Sequence, residues 1–402
     1  MKENLIVSAI PIGIAATKRK TNVRWLMLGL VFVGTIVNYL DRTNMSIVAP
    51  LISKEFAISP VAMGFLFSAF SWAFAVATLP GGYFLDRFGT KITYGVCLAG
   101  WSLMTAVLSL AGGFTSLFGL RLGVGAAEAP AFPANNKLVT AWFPQKERGV
   151  AGSVCSMGVY LGSAFLTPVE FIVASSFGWR AVFLLSGALG LVWAIVWFIA
   201  YREPSGSRRA NKEELAYIRE GGGVVSSPAK GEPFRWDHFR KLVTFRQIWG
   251  VCIGKFAATT TLYFFLTWFP TYLIQARGMT MLHAGAASIG PYLAAAVGVM
   301  FGGWWGDWMI GRGISVNFAR KAPMVIGLLL TGAIVLANFT SSNLLVIVIL
   351  CFAFFAQGMS STNWVVVSEI APHNLVGMTG SVVSFAGNLA GIITPITIGY
   401  IV

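Results

Sequence analysis

Charged residues are scarce in this sequence. Only 11% of its 402 residues are Asp, Glu, Lys or Arg, while 56% are hydrophobic and the mean hydropathy is +0.72. A soluble domain of this size needs a charged surface, whereas these values are typical of a chain that crosses a lipid bilayer many times. The composition therefore excludes a soluble protein and predicts an all-α polytopic membrane protein.

Residue types that carry catalysis or bind metals are also few. The four cysteines lie in apolar segments without metal-type spacing and are predicted to be buried free thiols: Cys97, Cys155, Cys252 and Cys351. The three histidines are scattered over separate loops, at His238, His283 and His373. The sequence has no nucleotide-binding loop and no Ser-His-Asp arrangement, so we expect neither an enzyme nor a metal or other cofactor.

The net charge of +14 would suggest a nucleic-acid partner in a soluble protein. Here most Lys and Arg residues fall in one alternate set of loops and termini between the apolar segments. That asymmetry is the positive-inside pattern, which predicts a cytoplasmic N-terminus for a multi-pass protein of the cell inner membrane. The expected partners are the lipid bilayer and a small molecule, with no nucleic acid, and the chain is expected to be a monomer.

Eleven apolar segments are predicted to form membrane-spanning helices, at about 24–52, 60–85, 92–112, 114–142, 149–176, 179–201, 247–275, 281–306, 322–340, 343–368 and 375–402. They follow a cytoplasmic tail, 1–23, and form an N-terminal bundle of helices 1 to 6, 24–201, and a C-terminal bundle of helices 7 to 11, 247–402. The polar segment 202–246 is predicted to be a cytoplasmic linker with a short interfacial helix near 211–219.

The second bundle repeats features of the first. Gly81-Gly82 followed by Asp86 is matched by Gly302-Gly303 followed by Asp307, and a Pro-Gly-Gly-Ser pattern in 144–153 recurs in 372–381. Two matches at nearly the same offset indicate a duplicated six-helix unit, an arrangement that places the binding site of transporters between the halves. Such a duplication requires twelve helices, so we expect the twelfth to be missing, through truncation or in a degenerate copy.

Two full charges interrupt the first apolar segment, in Asn38-Tyr39-Leu40-Asp41-Arg42. A charge at membrane depth costs about 2.5–3.5 kcal/mol on insertion scales. Neighbouring residues point in different directions on a helix, so Asp41 and Arg42 cannot simply neutralise each other. A structural ion pair with other helices is one explanation; a proton or substrate site is the other, and the one that we favour.

Several motifs identify a family by resemblance. The loop 81–91 resembles the signature between helices 2 and 3 of the major facilitator superfamily. Together with 38–42, Arg121 and Glu128, Phe177-Gly178-Trp179-Arg180 and the aromatic segment 264–273, it makes nearly the whole chain similar to the anion:cation symporter family. The nearest similarity is to bacterial proton-coupled sugar-acid carriers of the galactonate and glucarate type, and the family also includes tartrate, phthalate and vesicular glutamate and phosphate carriers.

The resemblance implies two bundles around a central cavity and assigns roles. The positions of Asp41 and Glu128 correspond to proton-titrating carboxylates, and the position of Arg42 binds substrate. Arg121 and Glu128 are seven residues apart on one helix face, which predicts that this face lines the cavity, with an interhelical clamp as the alternative. Competition between Glu128 and a substrate carboxylate for Arg42 could then couple the two cargoes.

Other candidate substrate-binding residues share helical stripes. Lys255, Thr259 and Tyr263 lie on one face of helix 7, and a second cation there would favour a substrate with two carboxylates or with one carboxylate and many hydroxyls. Lys255 could instead extend to the cytoplasm. Polar residues on helices 10 and 11 suit the hydroxyls of a polyol but could equally hold helices together: Gln357, Ser361, Ser384 and Asn388. Tyr39 and Trp364 are expected to frame the carbon skeleton, and Arg121 is a further candidate for the carboxylate.

Charged residues at the predicted cytoplasmic helix ends are expected to hold the two halves together in the outward-open state, unless they only set topology: Asp86, Arg87, Lys91, Asp307 and Arg312. Glu170 receives no role.

The sequence thus predicts a secondary transporter that imports a hydrophilic organic anion, such as galactonate or glucarate, by proton symport through alternating access, with protons in place of a cofactor. The alternatives are a carrier or exporter of another organic anion, of the tartrate or phthalate type, and a transport-inactive sensor or partner.

Overall fold

The computed structural model describes residues 19–223, 240, 244–362 and 376–402. Within these ranges all regular structure is helical and no strand occurs, which confirms the predicted all-α class. Nine helices in them are long and apolar enough to span a membrane.

Eleven helical segments match the eleven predicted ones, and we number them α1 to α11. The first six are α1 Val23–Phe56, α2 and α3 within Pro60–Leu108, α4 as Phe114–Glu128 and Ala131–Trp142, α5 Arg148–Phe177 and α6 Trp179–Ala200. The other five are α7 Arg246–Thr267, α8 Met281–Gly311, α9 Val316–Thr331, α10 Asn343–Met359 and α11 Val376–Ile401. Three of these helices continue in altered geometry: α7 through Phe269–Thr271 and the π-helical Tyr272–Ala276, α9 through the 3₁₀ turns Gly332–Phe339, and α10 through Ser360–Thr362.

Two predicted boundaries are corrected by the backbone. The chain is helical from Pro60 to Leu108 except at Gly89, whose φ of 76° and ψ of 171° separate α2 from α3, and α3 ends at Leu108 rather than at 112. Only glycine adopts such a conformation readily, so the turn between these helices needs no long loop. The predicted single helix 4 is interrupted before Ala131, because Pro130 has no backbone N–H to continue the hydrogen-bond ladder.

Three helices begin at hydroxyl caps on the same side of the molecule. The side chains of Ser59, Thr280 and Ser342 accept hydrogen bonds from backbone N–H groups three residues later, at the starts of α2, α8 and α10. Each cap satisfies an N–H group that the helix itself leaves unpaired. We call this side of the bundle the far side and the opposite side, which carries the linker, the linker side.

Matching helices of the two halves cross in matching ways. A Cβ on Gly81 of α2 would lie 2.9 Å from Pro130 of α4, and a Cβ on Gly302 of α8 would lie 2.5 Å from the carbonyl oxygen of Met359 of α10. Both glycines let two helices approach closely, as small residues commonly do in membranes. The repeated glycines of the sequence therefore occupy equivalent packing positions.

Contacts between the halves are concentrated towards the far side. Phe171 of α5 packs against Gly285 of α8, and Gly64 of α2 packs against the backbone of Pro395 and Ile396 of α11. At the linker end of α5, by contrast, a Cβ added to Gly149 or Gly152 would meet no atom of another described segment within 4 Å. In the described part of the chain, the halves are therefore in contact on the far side.

The linker contains a helix, Lys212–Glu220, close to the predicted one, and it is fastened to the N-terminal half. The carboxylate of Glu214 is fully buried and accepts hydrogen bonds from the backbone N–H groups of Val23 and Arg24 and from the hydroxyl of Thr21. Arg24 also pairs with Glu214 and with Glu147 of the α4–α5 turn. This carboxylate caps the start of α1, where the helix dipole favours negative charge.

Candidate functional site

Arg42 and Glu128, two of the charged residues predicted to take part in transport, form an ion pair inside the N-terminal half. Nε of Arg42 donates a hydrogen bond to Oε1 of Glu128 at 2.6 Å, and Nη2 of Arg42 contacts the same oxygen. The side chain of Glu128 is fully buried, whereas that of Arg42 remains 10% exposed. The ion pair links α1 to α4, and the Arg42 side chain is more exposed than that of Glu128.

Aromatic rings surround the Arg42 guanidinium. Its Cζ lies 4.9 Å from the ring centroid of Tyr39, 4.6 Å from that of Phe70, 5.2 Å from that of Phe74 and 5.5 Å from that of Phe132. Cation–π attraction is strongest where water is excluded, at about 2 kcal/mol or more per desolvated contact. The four rings therefore hold the guanidinium in a weakly hydrated position, with 10% of the side chain still exposed.

Asp41 precedes Arg42 on α1 and is only 1% exposed. Neither of its carboxylate oxygens, nor Oε2 of Glu128, makes a hydrogen bond of normal geometry among the described residues, although Trp101 and Thr105 lie close to Asp41. Arg121 donates from Nη1 to the backbone carbonyl oxygen of Asp41 at 3.2 Å. Burial of an ionised carboxylate without a partner is costly, and the proton role of Asp41 and Glu128 stays a prediction.

The helix 7 candidates lie together against α11. The side chains of Lys255 and Thr259 pack around Gly387, where a Cβ would lie 3.2 Å from Cε of Lys255 and 3.3 Å from Oγ1 of Thr259. One turn further along, the hydroxyl of Tyr263 accepts a hydrogen bond from Ser71 of α2 at 3.1 Å. The predicted stripe is therefore on one face, and Tyr263 connects it to the N-terminal half.

A second hydroxyl connection joins the halves at mid-depth. The hydroxyl of Tyr160 on α5 donates to Oε1 of Gln357 at 3.3 Å and lies 3.2 Å from Oγ of Ser361. Nε2 of Gln357 donates to the carbonyl oxygen of Ala258 at 3.3 Å. The α10 candidates thus meet α5 and α7 at the boundary between the halves.

Ser384 and Asn388 are half-buried on α11. Trp364 lies outside the described residues. The structure therefore brings Tyr39, Arg42 and Glu128 into one cluster and places Lys255, Thr259 and Tyr263 in another, with Gln357 and Ser361 in a third.

The residues predicted to latch the halves make their described contacts within their own half. Asp86 pairs with Lys137 of α4 at 2.9 Å, and Asp307 pairs with Arg320 of α9 at 2.7 Å. Arg87 donates to the hydroxyl of Tyr83, and the backbone carbonyl of Lys91 accepts from Trp197. The guanidinium of Arg312 stacks on Trp308. A latch between the halves is not among these described contacts and stays a prediction.

A cavity of about 730 Å³ lies elsewhere, in the C-terminal half. Its lining includes Phe256, Phe264, Ile334, Ile393 and Ile398 and contains no charged side chain. An anion would lose its hydration there without gaining a cation. The cavity is therefore not the anion site, and the Arg42 cluster is the better candidate.

Three kinds of participant received no role in the sequence analysis. Ser71 and Tyr160 carry the connections between the halves, Phe70, Phe74 and Phe132 build the cage around Arg42, and Glu170 is a third buried acid near Asp41. The aromatic residues could not be singled out because apolar rings are expected throughout a membrane helix. Glu170 was visible as a charge within an apolar helix.

Comparisons with known proteins identify the family of the chain. The family model of the Major Facilitator Superfamily matches residues 31–395. The chain is similar to a D-galactonate transporter of Escherichia coli O6:H1, with 42% identity over 98% of this chain and 91% of the relative. It is also similar to a probable galactarate/D-glucarate transporter, GudP, of Bacillus subtilis, with 40% identity over 96% of this chain and 87% of the relative.

Among solved structures, the chain resembles a bacterial homologue of the human lysosomal transporter Spinster in an inward-facing and unoccupied conformation. The TM-score is 0.75 at 22% identity, over 94% of this chain and 82% of that one. At this identity the likeness concerns the fold, and it supports the two-bundle architecture.

Proposed function

Because the chain belongs to the Major Facilitator Superfamily and is a multi-pass membrane transporter rather than an enzyme, we propose that it carries a sugar acid together with protons. The observation that carries this proposal is the Arg42–Glu128 pair, a caged guanidinium whose only described ion-pair partner is a fully buried carboxylate. The names of the two relatives point to galactonate, galactarate or glucarate as the class of substrate.

The pair explains how proton and anion binding become coupled. While Glu128 is ionised it occupies the Arg42 fork, and a substrate carboxylate must displace it. A proton on Glu128 removes its charge and frees the guanidinium, whose planar fork suits a carboxylate. Proton binding therefore promotes anion binding at the same cation.

Asp41 is the second proposed proton carrier. It lies one residue from Arg42 on α1, and Arg121 holds the backbone at this point. A proton on Asp41 relieves the cost of a buried negative charge when the site is closed from water. Asp41 would thus give up its proton only when the surrounding helices admit water.

The C-terminal half supplies the groups proposed to bind the rest of the substrate. Lys255 and Thr259 face α11, and Gln357 and Ser361 lie at the boundary with α5. Hydroxyl and amide groups can pair with the hydroxyls of a polyol chain, which would otherwise lose hydrogen bonds to water. A second cation at Lys255 would favour a dicarboxylate over a monocarboxylate.

The orientation follows from the basic residues. Because Lys and Arg concentrate on the linker side, we assign that side to the cytoplasm of a bacterial inner membrane and place the N-terminus there. The conformation described above is then closed on the side away from the cytoplasm, and the proposed alternating-access cycle includes a second conformation that is open on that side.

Uptake into proteoliposomes tests the proposal. With the interior alkaline, labelled galactonate, galactarate or glucarate should accumulate, and a protonophore should abolish the accumulation. Tartrate and phthalate serve as competitors of different shape. Accumulation that does not depend on the pH gradient, or failure of all three sugar acids to enter, would overturn the proposal.

A further inference from the structure

Glu170 is a buried acid that the proposed mechanism does not yet use. It lies on α5, is 3% exposed, and precedes Phe171, which packs against Gly285 of α8 where the halves meet on the far side. An ionisable group at membrane depth is expensive to bury and is usually functional. Glu170 is therefore next to a contact that must break when the far side opens.

Thr43 is the described hydrogen-bond partner of Glu170. Oγ1 of Thr43 lies 3.1 Å from Oε2 of Glu170 and also 3.1 Å from the carbonyl oxygens of Tyr39 and Leu40. These carbonyls lie inside α1, where backbone N–H groups four residues later bond them, so this contact accommodates a neutral or an ionised acid. If Glu170 carries a proton, it donates to Thr43, and the hydroxyl hydrogen remains available to a backbone carbonyl.

The surroundings of the other carboxylate oxygen, Oε1, favour a protonated Glu170. Oε1 of Glu170 is buried without a hydrogen-bond partner among the described residues, and no described cation pairs with the carboxylate. The titratable groups that face it are Asp41 of α1 and Tyr292 of α8. Asp41 can only repel a negative charge on Glu170, and the Tyr292 hydroxyl is engaged with the carbonyl of Phe265 at 2.9 Å.

We propose that Glu170 is a third proton-binding carboxyl of the transport cycle, and that its protonation is required for the far side to close. When α5 and α8 separate, water reaches Glu170 and stabilises the ionised form. Closure removes that water, so the carboxyl group must first take a proton from the far-side solution. This inference rests on the proposed proton-coupled function and adds a residue on the path by which protons enter.

Distance measurements between the halves test this inference without substrate. Spin labels on Lys54→Cys of α1 and Gln275→Cys at the end of α7 report the separation of two exposed far-side positions, with the four native cysteines replaced by serine. In lipid nanodiscs between pH 5.5 and 8.5, the ratio of closed to open populations should rise with acidity, by at most about tenfold per pH unit for one proton.

Glu170→Gln imitates the neutral acid and should raise the closed fraction of the far side at every pH and flatten its pH dependence. Glu170→Asp should keep the pH dependence. In the control Asp41→Asn, the pH dependence should also persist, because Glu170 is intact. If Glu170→Gln does not insert, Thr43→Val should change the pH of the closing transition, since it removes the described hydrogen-bond partner of Glu170.

Two results would overturn the inference: closure of the unmodified protein that does not change with pH, or a Glu170→Gln profile equal to that of the unmodified protein. A Thr43→Val profile that equals the unmodified one would do the same. Because no sugar acid is present, these results are independent of the uptake experiment, which alone decides the proposed substrate and its proton coupling.

Discussion

Individual residues decide what this transporter can bind. Arg42 keeps a guanidinium at membrane depth by combining one carboxylate, Glu128, with a cage of aromatic rings. A lysine would keep the charge but lose the planar fork and its stacking on the rings. The chemistry of the site therefore depends on arginine and not merely on a positive charge.

Arg42→Lys should reduce sugar-acid uptake by about tenfold or more, because a loss of about 1.4 kcal/mol in binding free energy is a tenfold change. The matched control is Arg202→Lys, whose arginine is exposed at the linker side and donates only to nearby carbonyls in the described structure. Labelled uptake at equal membrane expression measures both. Equal uptake by the two variants would refute a role of the guanidinium shape.

Glu128→Gln should separate exchange from accumulation. The amide keeps the size of the side chain and an oxygen for Arg42, but it cannot carry a proton or a negative charge. Counterflow of labelled substrate should continue, whereas accumulation driven by a pH gradient should be lost. A Glu128→Gln protein that still concentrates substrate in response to the gradient would remove Glu128 from the coupling mechanism.

At the scale of helices, close crossings decide the packing of each half. A Cβ on Gly298 of α8 would overlap the carbonyl of Phe355 on α10, and Gly358 of α10 makes the reciprocal approach to Ala295 of α8. Without a strong hydrophobic force between helices in lipid, such small residues provide the contact. Gly303 lies on the same helix, but a Cβ added there would meet no atom of another described segment within 4 Å.

Gly298→Ala should lower the apparent thermal unfolding temperature in detergent, since overpacking of this kind costs about 1–3 kcal/mol. Gly303→Ala should leave it unchanged or raise it slightly, because alanine favours the helix without meeting an obstacle. Tryptophan fluorescence during heating measures both variants. A Gly298→Ala protein as stable as Gly303→Ala would contradict the close crossing.

At the scale of the whole molecule, two hydroxyl connections join the halves near the centre of the membrane. Tyr160 contacts Gln357 and Ser361, and Ser71 contacts Tyr263. Alternating access requires such contacts to form in one conformation and break in another. Each net hydrogen bond contributes about 0.5–1.5 kcal/mol, which is sufficient to shift populations several-fold.

Tyr160→Phe should therefore decrease the ratio of closed to open far-side populations about two- to tenfold, as about 0.5–1.4 kcal/mol implies. The spin labels at positions 54 and 275 report this change in nanodiscs. The control is Tyr400→Phe, because Tyr400 is exposed at the end of α11. An unchanged population in Tyr160→Phe would show that this hydroxyl does not hold the halves together.

Much of the fold was predictable because hydrophobic length alone determines where a chain crosses a bilayer. All eleven predicted segments are helical in the described ranges, and the Gly81 and Gly302 repeats occupy equivalent crossings. The boundaries that failed, near Leu108 and Pro130, depend on local backbone geometry that hydropathy does not report.

The sequence by itself determined the membrane class, the duplicated halves and the buried charges of α1 and α4, because charges inside apolar runs are visible without a structure. Only the tertiary structure decided that Glu128 pairs with Arg42 while Arg121 holds the backbone of Asp41. It also joined Tyr160 to Gln357 and brought Glu170 next to Thr43. These choices depend on helix rotation and on contacts between residues up to 197 positions apart, and no local pattern in the chain specifies either.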